Sequence, residues 1–167
     1  MKNLTLFAFV CFPLLTTAQF GILDNNFDAD GIASFEVGNH GYSYGHDVAV
    51  QSDGKILVLG ETLVQNPPDE ASFLLRLFPD GSIDQSFGQN GLVLLGGVFV
   101  QEMIIQPDGK IVLVGAAGFG VSNAVAFIRL NGTDGSMDSS FGSNNGTYLM
   151  TFPQGSILLD VALQPVG

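Results

Sequence analysis

Asp24, Asp28 and Asp30 ahead of Gly31 alternate as the oxygen ligands of a calcium loop alternate before its glycine. The glutamate that would complete such a loop is missing. Five residues past Gly31 stands Glu36, with no further matching spacing, and the sister copies of this stretch carry Gly88 and Asn90, or Gly142 and Asn144, instead of carboxylates. A turn whose aspartates cap backbone amides accounts for all three copies, so no metal site is expected. His40 and His46 lie in a glycine-rich stretch with Tyr42 and Tyr44, absent from the second repeat, where unique function would be placed. Their separation, 46 − 40 = 6, is not a zinc signature, although such rings could stack on a sugar or peptide. The plainer reading is an exposed loop. Asp53 and Asp108 recur in Asp-Gly turns, where a carboxylate accepts local backbone bonds, and no second group is placed opposite either for catalysis. Arg76 and Arg129 recur as well, and the simplest use of a repeated arginine is to pair with a repeated carboxylate, here Asp84 and Asp138. Polar groups copied in every repeat favour a scaffold over an enzyme site, which is normally unique. No catalytic residue set and no cofactor are expected.

These residues sit on a repeated framework. Gln51-Ser52-Asp53-Gly54-Lys55 and Gln106-Pro107-Asp108-Gly109-Lys110 each feed four apolar residues and a glycine read as the end of the run. The two lysines are 110 − 55 = 55 apart, and Phe27, Phe87 and Phe141 are spaced 60 and 54. Motifs that recur in one order define an internal repeat. Residues 1–18 read as a signal peptide, 23–82 as the first repeat, 83–136 as the second and 137–167 as a truncated third. Strands are expected at Asp47–Val50, Ile56–Leu59, Phe73–Leu77 and Leu92–Leu95, and again at Glu102–Ile105, Ile111–Val114, Ala126–Leu130 and Tyr148–Phe152. Ala33–Val37 holds the fourth-strand place ahead of the first unit, and Leu158–Leu163 the first-strand place of the third. The sequons at Asn131 and Asn145 read as turns.

Ile56 and Val58 point to one side of their strand and Leu57 and Leu59 to the other. Both faces are apolar, so both must be covered, which sheets stacked as blades achieve and a two-layer sandwich does not. The expected fold is all-β, with four-stranded antiparallel blades of an incomplete β-propeller, an open repeat array. The combination of Leu-Asp-x-x-Phe-Gly, Gln-Pro-Asp-Gly-Lys-Ile-x-x-x-Gly and Arg-Leu followed by Asp-Gly-Ser resembles the delta-60 repeat of bacterial secreted and surface proteins, over about residues 23–167. Asp28 departs from the glycine after the phenylalanine, and Ser52 from the proline. The resemblance implies a propeller-type structure and no particular activity.

Composition narrows the partners. Lysine and arginine number 5 against 16 acids, the net charge is −11, and charged residues are only 13% of the chain. That balance excludes phosphate-directed nucleic-acid binding and adsorption to anionic lipid. Lys2, an apolar run from Leu4 to Leu15 and Thr16-Thr17-Ala18 predict secretion with cleavage before Gln19 and no membrane insertion afterwards. Cleavage removes Cys11, the one cysteine, and takes the net charge to −12. The functional expectation is a secreted or cell-surface scaffold that binds a protein or carbohydrate. Further repeats of a parent chain are expected to complete the array, leaving this fragment prone to associate. The alternative is the propeller portion of an extracellular hydrolase.

Overall fold

The computed structural model describes residues 21–38, 43–64, 69–117, 124–152 and 160–164. The signal-like segment, Cys11, His40 and Tyr42 lie outside them. Eight strands run β1 (Ser43–Val50), β2 (Ile56–Val64), β3 (Asp69–Leu77), β4 (Leu92–Gly96), β5 (Val98–Ile105), β6 (Ile111–Ala117), β7 (Ala124–Leu130) and β8 (Thr147–Thr151). They form two antiparallel sheets, ordered β1-β2-β3-β4 and β5-β6-β7-β8. Gly97 alone separates β4 from β5, so the chain leaves the outer edge of one sheet and starts the next without a loop. The sheets are stacked blades of an open β-propeller.

Each Asp-Gly-Lys turn closes a hairpin. Gly54 donates to the Gln51 carbonyl at 2.9 Å and Gly109 to that of Gln106 at 2.9 Å. Only the glycine has positive φ, +85° and +81°, a conformation that costs glycine little. Asp53 and Asp108 stay at negative φ and accept the Lys55 and Lys110 amides.

The eight strands expected in the two repeats are present, and most are longer. Gly60 and Gly115 do not end β2 and β6. Both strands run through them, because β1 and β5 bulge at this point, between Gly45 and Asp47 and between Val100 and Glu102. The bulge brings the Tyr44 and Phe99 carbonyls against these glycines, where a Cβ would collide with them. Ala33–Val37 forms no ladder, yet Phe35 and Val37 pack on the first blade beside Phe73, Leu75 and Leu77. Asp160–Leu163 likewise forms no strand, and Leu158 and Leu159 lie outside the described residues.

The main core is the seam between the blades. Leu57, Leu59, Leu74, Phe87 and Leu95 of the first meet Val100, Met103, Ile111, Leu113, Ile128 and Leu130 of the second. Ile56 and Val58 face the other way, toward Phe27, Phe35 and Val37. The two-sided apolar strand thus has both faces covered, one by each neighbour.

Candidate functional site: the seam between the blades

Arg76 sits on β3 opposite Leu57, and its side chain is 1% exposed. Its Nε donates to Asp84 Oδ2 at 2.8 Å, and its guanidinium lies over the Phe87 ring, 4.2 Å from the centroid. Nη1 and Nη2 cross to the second blade, where Nη1 donates to the Gly132 carbonyl and Nη2 to that of Thr133 at 2.8 Å. Gln51 Nε2 donates to Gly132 as well, at 3.1 Å, and the Gly88 amide to the Asp134 carbonyl at 2.7 Å. Three consecutive carbonyls, Gly132 to Asp134, are therefore received by one cradle on the first blade. A planar guanidinium suits this task because its donors are fixed in a fork. The loop can approach so closely because Gly135 carries no side chain. Its Cβ would stand 2.9 Å from the Phe87 ring, and its φ of +75° favours glycine independently.

Asp84 anchors the cradle. Its Oδ1 accepts the Ser86 hydroxyl at 2.6 Å and the Ser86 amide at 3.1 Å, and Lys55 lies 3.3 Å from Oδ2. Burial opposes ionisation, but the two Ser86 bonds, Lys55 and Arg76 outweigh it and hold the carboxyl down at about 2. The pairing of repeated arginine with repeated carboxylate, expected from the recurrence, recurs on the second blade. Arg129 Nε donates to Asp138 Oδ2 at 2.7 Å, and Lys110 at 2.8 Å and Ser140 complete the cluster. Lys110 foremost, then the Ser140 hydroxyl, keep Asp138 well below the usual carboxylate range. Lys55, Arg76, Lys110 and Arg129 are the only cations after Lys2, and each is held by one of these two carboxylates.

Two further contacts pin the seam. Ser72 Oγ accepts the Val100 amide at 2.8 Å and donates to the Val98 carbonyl at 3.0 Å. Asp47 Oδ2 accepts the Met103 amide at 3.1 Å where β1 and β5 lie side by side. Glu102 stands on β5 where Asp47 stands on β1, just past the bulge. Burial, then Asp47 and Asp160, push its carboxyl above the ordinary glutamate range, with His46 working against them.

The remaining candidates divide. Asp24 and Asp30 accept the Asn26 and Ile32 amides, the caps expected of a turn, and no cluster of three or more metal-ligating side chains occurs among the described residues. His46 is on a strand rather than a loop. It fills the bulge in β1, 3.4 Å from the Glu61 carboxylate and edge-on to Phe99 of the second blade, the place Gln101 takes on β5. Asn131-Gly132-Thr133 is the received loop itself. Sequence reasoning missed Gln51 and Ser86, although both recur, as Gln106 and Ser140, inside motifs it used. It also missed the row Asp47, Glu102 and Asp160, visible as aligned acids. Ser72 has no such signal, since Val125 holds its place in β7.

Over the cradle a groove of about 510 Å³ opens between the turn tips, lined by Gln51, Asp53, Asp108, Lys110 and Asn131 among others. Neither the curated proteins nor the solved structures yield a match to this chain. A family described as a domain of unknown function (DUF5122) beta-propeller matches residues 51–87 and 106–141, each running from the glutamine of the cradle to its phenylalanine. With the two stacked blades, those matches establish that the chain carries repeats of a propeller type.

Proposed function

We propose that the chain is the scaffold of a secreted or cell-surface binding protein of the delta-60 kind, which recognises a carbohydrate or protein without transforming it. The observation that carries this reading is the commitment of the repeated ionisable groups to one another. Asp84 and Asp138 are held as ionised, hydrogen-bonded partners of Arg76 and Arg129, which makes them poor acids or bases at neutral pH. What the turn tips offer instead is a groove whose amides and carboxylates, among them Gln51, Asp53, Asp108 and Asn131, suit sugar hydroxyls, while Lys55 and Lys110 on its wall are held by Asp84 and Asp138. With its cations engaged at the seams and a net charge of −11, the chain has little with which to hold an anionic partner.

The hydrolase reading has one observation in its favour, the carboxyl of Glu102, which burial and the neighbouring Asp47 and Asp160 push up, since glycoside cleavage uses a pair of neighbouring carboxyl groups of which one has its pKa raised. One experiment separates the two. A panel of neutral and basic oligosaccharides is screened for binding by glycan array and calorimetry, and the same compounds for turnover. Saturable binding lost in Asp53→Ala/Asp108→Ala, without product, supports the scaffold. Product formation abolished by Glu102→Gln refutes it.

A further inference from the structure

The second blade repeats the cradle, and no carbonyl of a described residue occupies it. Arg129 faces Val112 across β6 as Arg76 faces Leu57 across β2, and its guanidinium lies over Phe141, 4.5 Å from the centroid, as Arg76 lies over Phe87. Among the described residues Arg129 bonds only within its own blade, to Asp138 and Ser140. Its side chain is 19% exposed against 1% for Arg76. Gln106 is the counterpart of Gln51, and its Oε1 is the one buried side-chain polar atom among the described residues with no hydrogen-bond partner. In the filled cradle the equivalent oxygen, Gln51 Oε1, accepts from Arg76 Nη1 at 3.4 Å while Gln51 Nε2 donates to the loop, so Gln106 Oε1 lacks the donor that Arg129 would supply when drawn toward carbonyls as Arg76 is. The apolar surface beside it is open in the same sense. Leu95 on β4 is 7% exposed, whereas Met150 in the same place on β8 is 40% exposed, with the exposed Tyr148 two residues away on the same side of the strand.

We infer that this face of the second blade is a docking site for a third blade of the same repeat, and that Arg129, Gln106 and the Gly142 amide receive three successive carbonyls of its loop. Three observations select this occupant. The cradle's shape is that of an established seam, whose tenant is known residue by residue as Gly132 to Asp134. The stretch in the first-strand place of the incoming blade already touches this face, without pairing as a strand, since Val161 packs against the cluster of Val112, Val114 and Val125 as Met103 packs against the first blade. A second copy of the chain fits poorly, because its first blade already has Phe27 against Gly81 and the Asp28 amide on the Asp80 carbonyl, where Phe141 and Gly142 would have to go. The inference is independent of whether the groove takes a ligand.

Two measurements test it. In the first, the full chain is compared with one in which residues 107–151 are joined again after Gln164, the added copy carrying Tyr148→Phe and Met150→Leu so that the original pair can be followed. Hydroxyl-radical oxidation of the original Tyr148 and Met150 is expected to slow by about fivefold or more on extension, as burial under a blade requires. Arg129→Met should remove that protection. Unchanged oxidation beside a folded added blade overturns the inference. So does protection in the unextended chain that grows with concentration, which would assign the face to a second copy. The second measurement needs no added blade. A cyclic peptide of residues 130–137 is titrated onto the full chain with labelled arginines. The Nε–H resonance of Arg129 should shift saturably while that of Arg76, already surrounded, stays in place. A still Arg129 resonance, or equal shifts at both, also overturns it.

Discussion

Replacing Arg76 by methionine keeps the buried stem and deletes the fork. The variant loses the bond to Asp84 and both carbonyl bonds across the seam. Removing one member of a buried ion pair ordinarily costs about 3–5 kcal/mol, because the other charge is stranded. Here Asp84 retains Ser86 and, at 3.3 Å, Lys55, which places the expected loss near the lower bound, about 3 kcal/mol. Arg129→Met is the internal control. It deletes the same side chain at the same place in the repeat, but there the guanidinium is partly solvated, bonds among the described residues only within its own blade, and leaves Asp138 on Lys110 at 2.8 Å. Its cost should be less than half as large. Urea unfolding followed by far-ultraviolet circular dichroism at pH 7 measures both. Equal losses would mean that the contacts across the seam contribute nothing. A loss at Arg76 within about 0.5 kcal/mol of zero, the range of an ordinary surface change, would refute the reasoning outright. Arg76→Met combined with Asp84→Leu should recover part of the loss, since no charge is then stranded.

The remaining expectations use the same unfolding assay. Gly109→Ala and Gly135→Ala strain similar positive-φ positions, so each should cost about 1 kcal/mol, but only Gly135→Ala also meets the Phe87 ring and should cost clearly more. Ser72→Ala leaves the buried Val100 amide without its acceptor and should cost about 1–3 kcal/mol. Asp84 has its carboxyl pKa lowered on folding, so it stabilises above the unfolded value of about 4 and loses that contribution as pH falls toward about 2. The urea midpoint should drop across that window in the parent and more shallowly in Asp84→Asn. A parallel fall in both would remove Asp84 from the account of acid unfolding.

The strands were legible because their apolar runs lie between turns whose glycine requirement is local. Asp53-Gly54-Lys55 can be read as a hairpin from three residues. The two-sided pattern of Ile56 to Leu59 further implied that both faces are covered. What could not be read depends on what lies across the seam. Gly60 and Gly115 look like strand ends until the bulge opposite them is seen, and then their lack of a side chain is explained by a neighbouring carbonyl. His46 looked like part of a loop because its stretch has no apolar period, yet a bulge tolerates that irregularity within a strand. Arg76 could be paired with Asp84 from recurrence alone. Its larger task, holding Gly132 and Thr133 some fifty residues on (132 − 76 = 56), leaves no trace in either motif, because backbone carbonyls have no sequence.

The single residue between β4 and β5, and a cradle in one unit that grips a loop in the next, bear on how such a chain can grow. The lysine-to-lysine interval is 110 − 55 = 55 residues, and a completed seam needs one such interval and the start of another. Copying any stretch of that length, wherever the copy begins, restores strand order, turn, arginine, carboxylate and received loop in the correct succession. The breakpoint of a duplication is therefore nearly silent structurally, and gene-level expansion or contraction by whole intervals should leave each surviving seam intact. Insertions of other lengths are tolerated where the two units already differ, such as between Gly31 and Ser43, or in the connection from β2 to β3, where arginine follows lysine by 76 − 55 = 21 residues in the first unit and 129 − 110 = 19 in the second while each keeps its pair with the carboxylate.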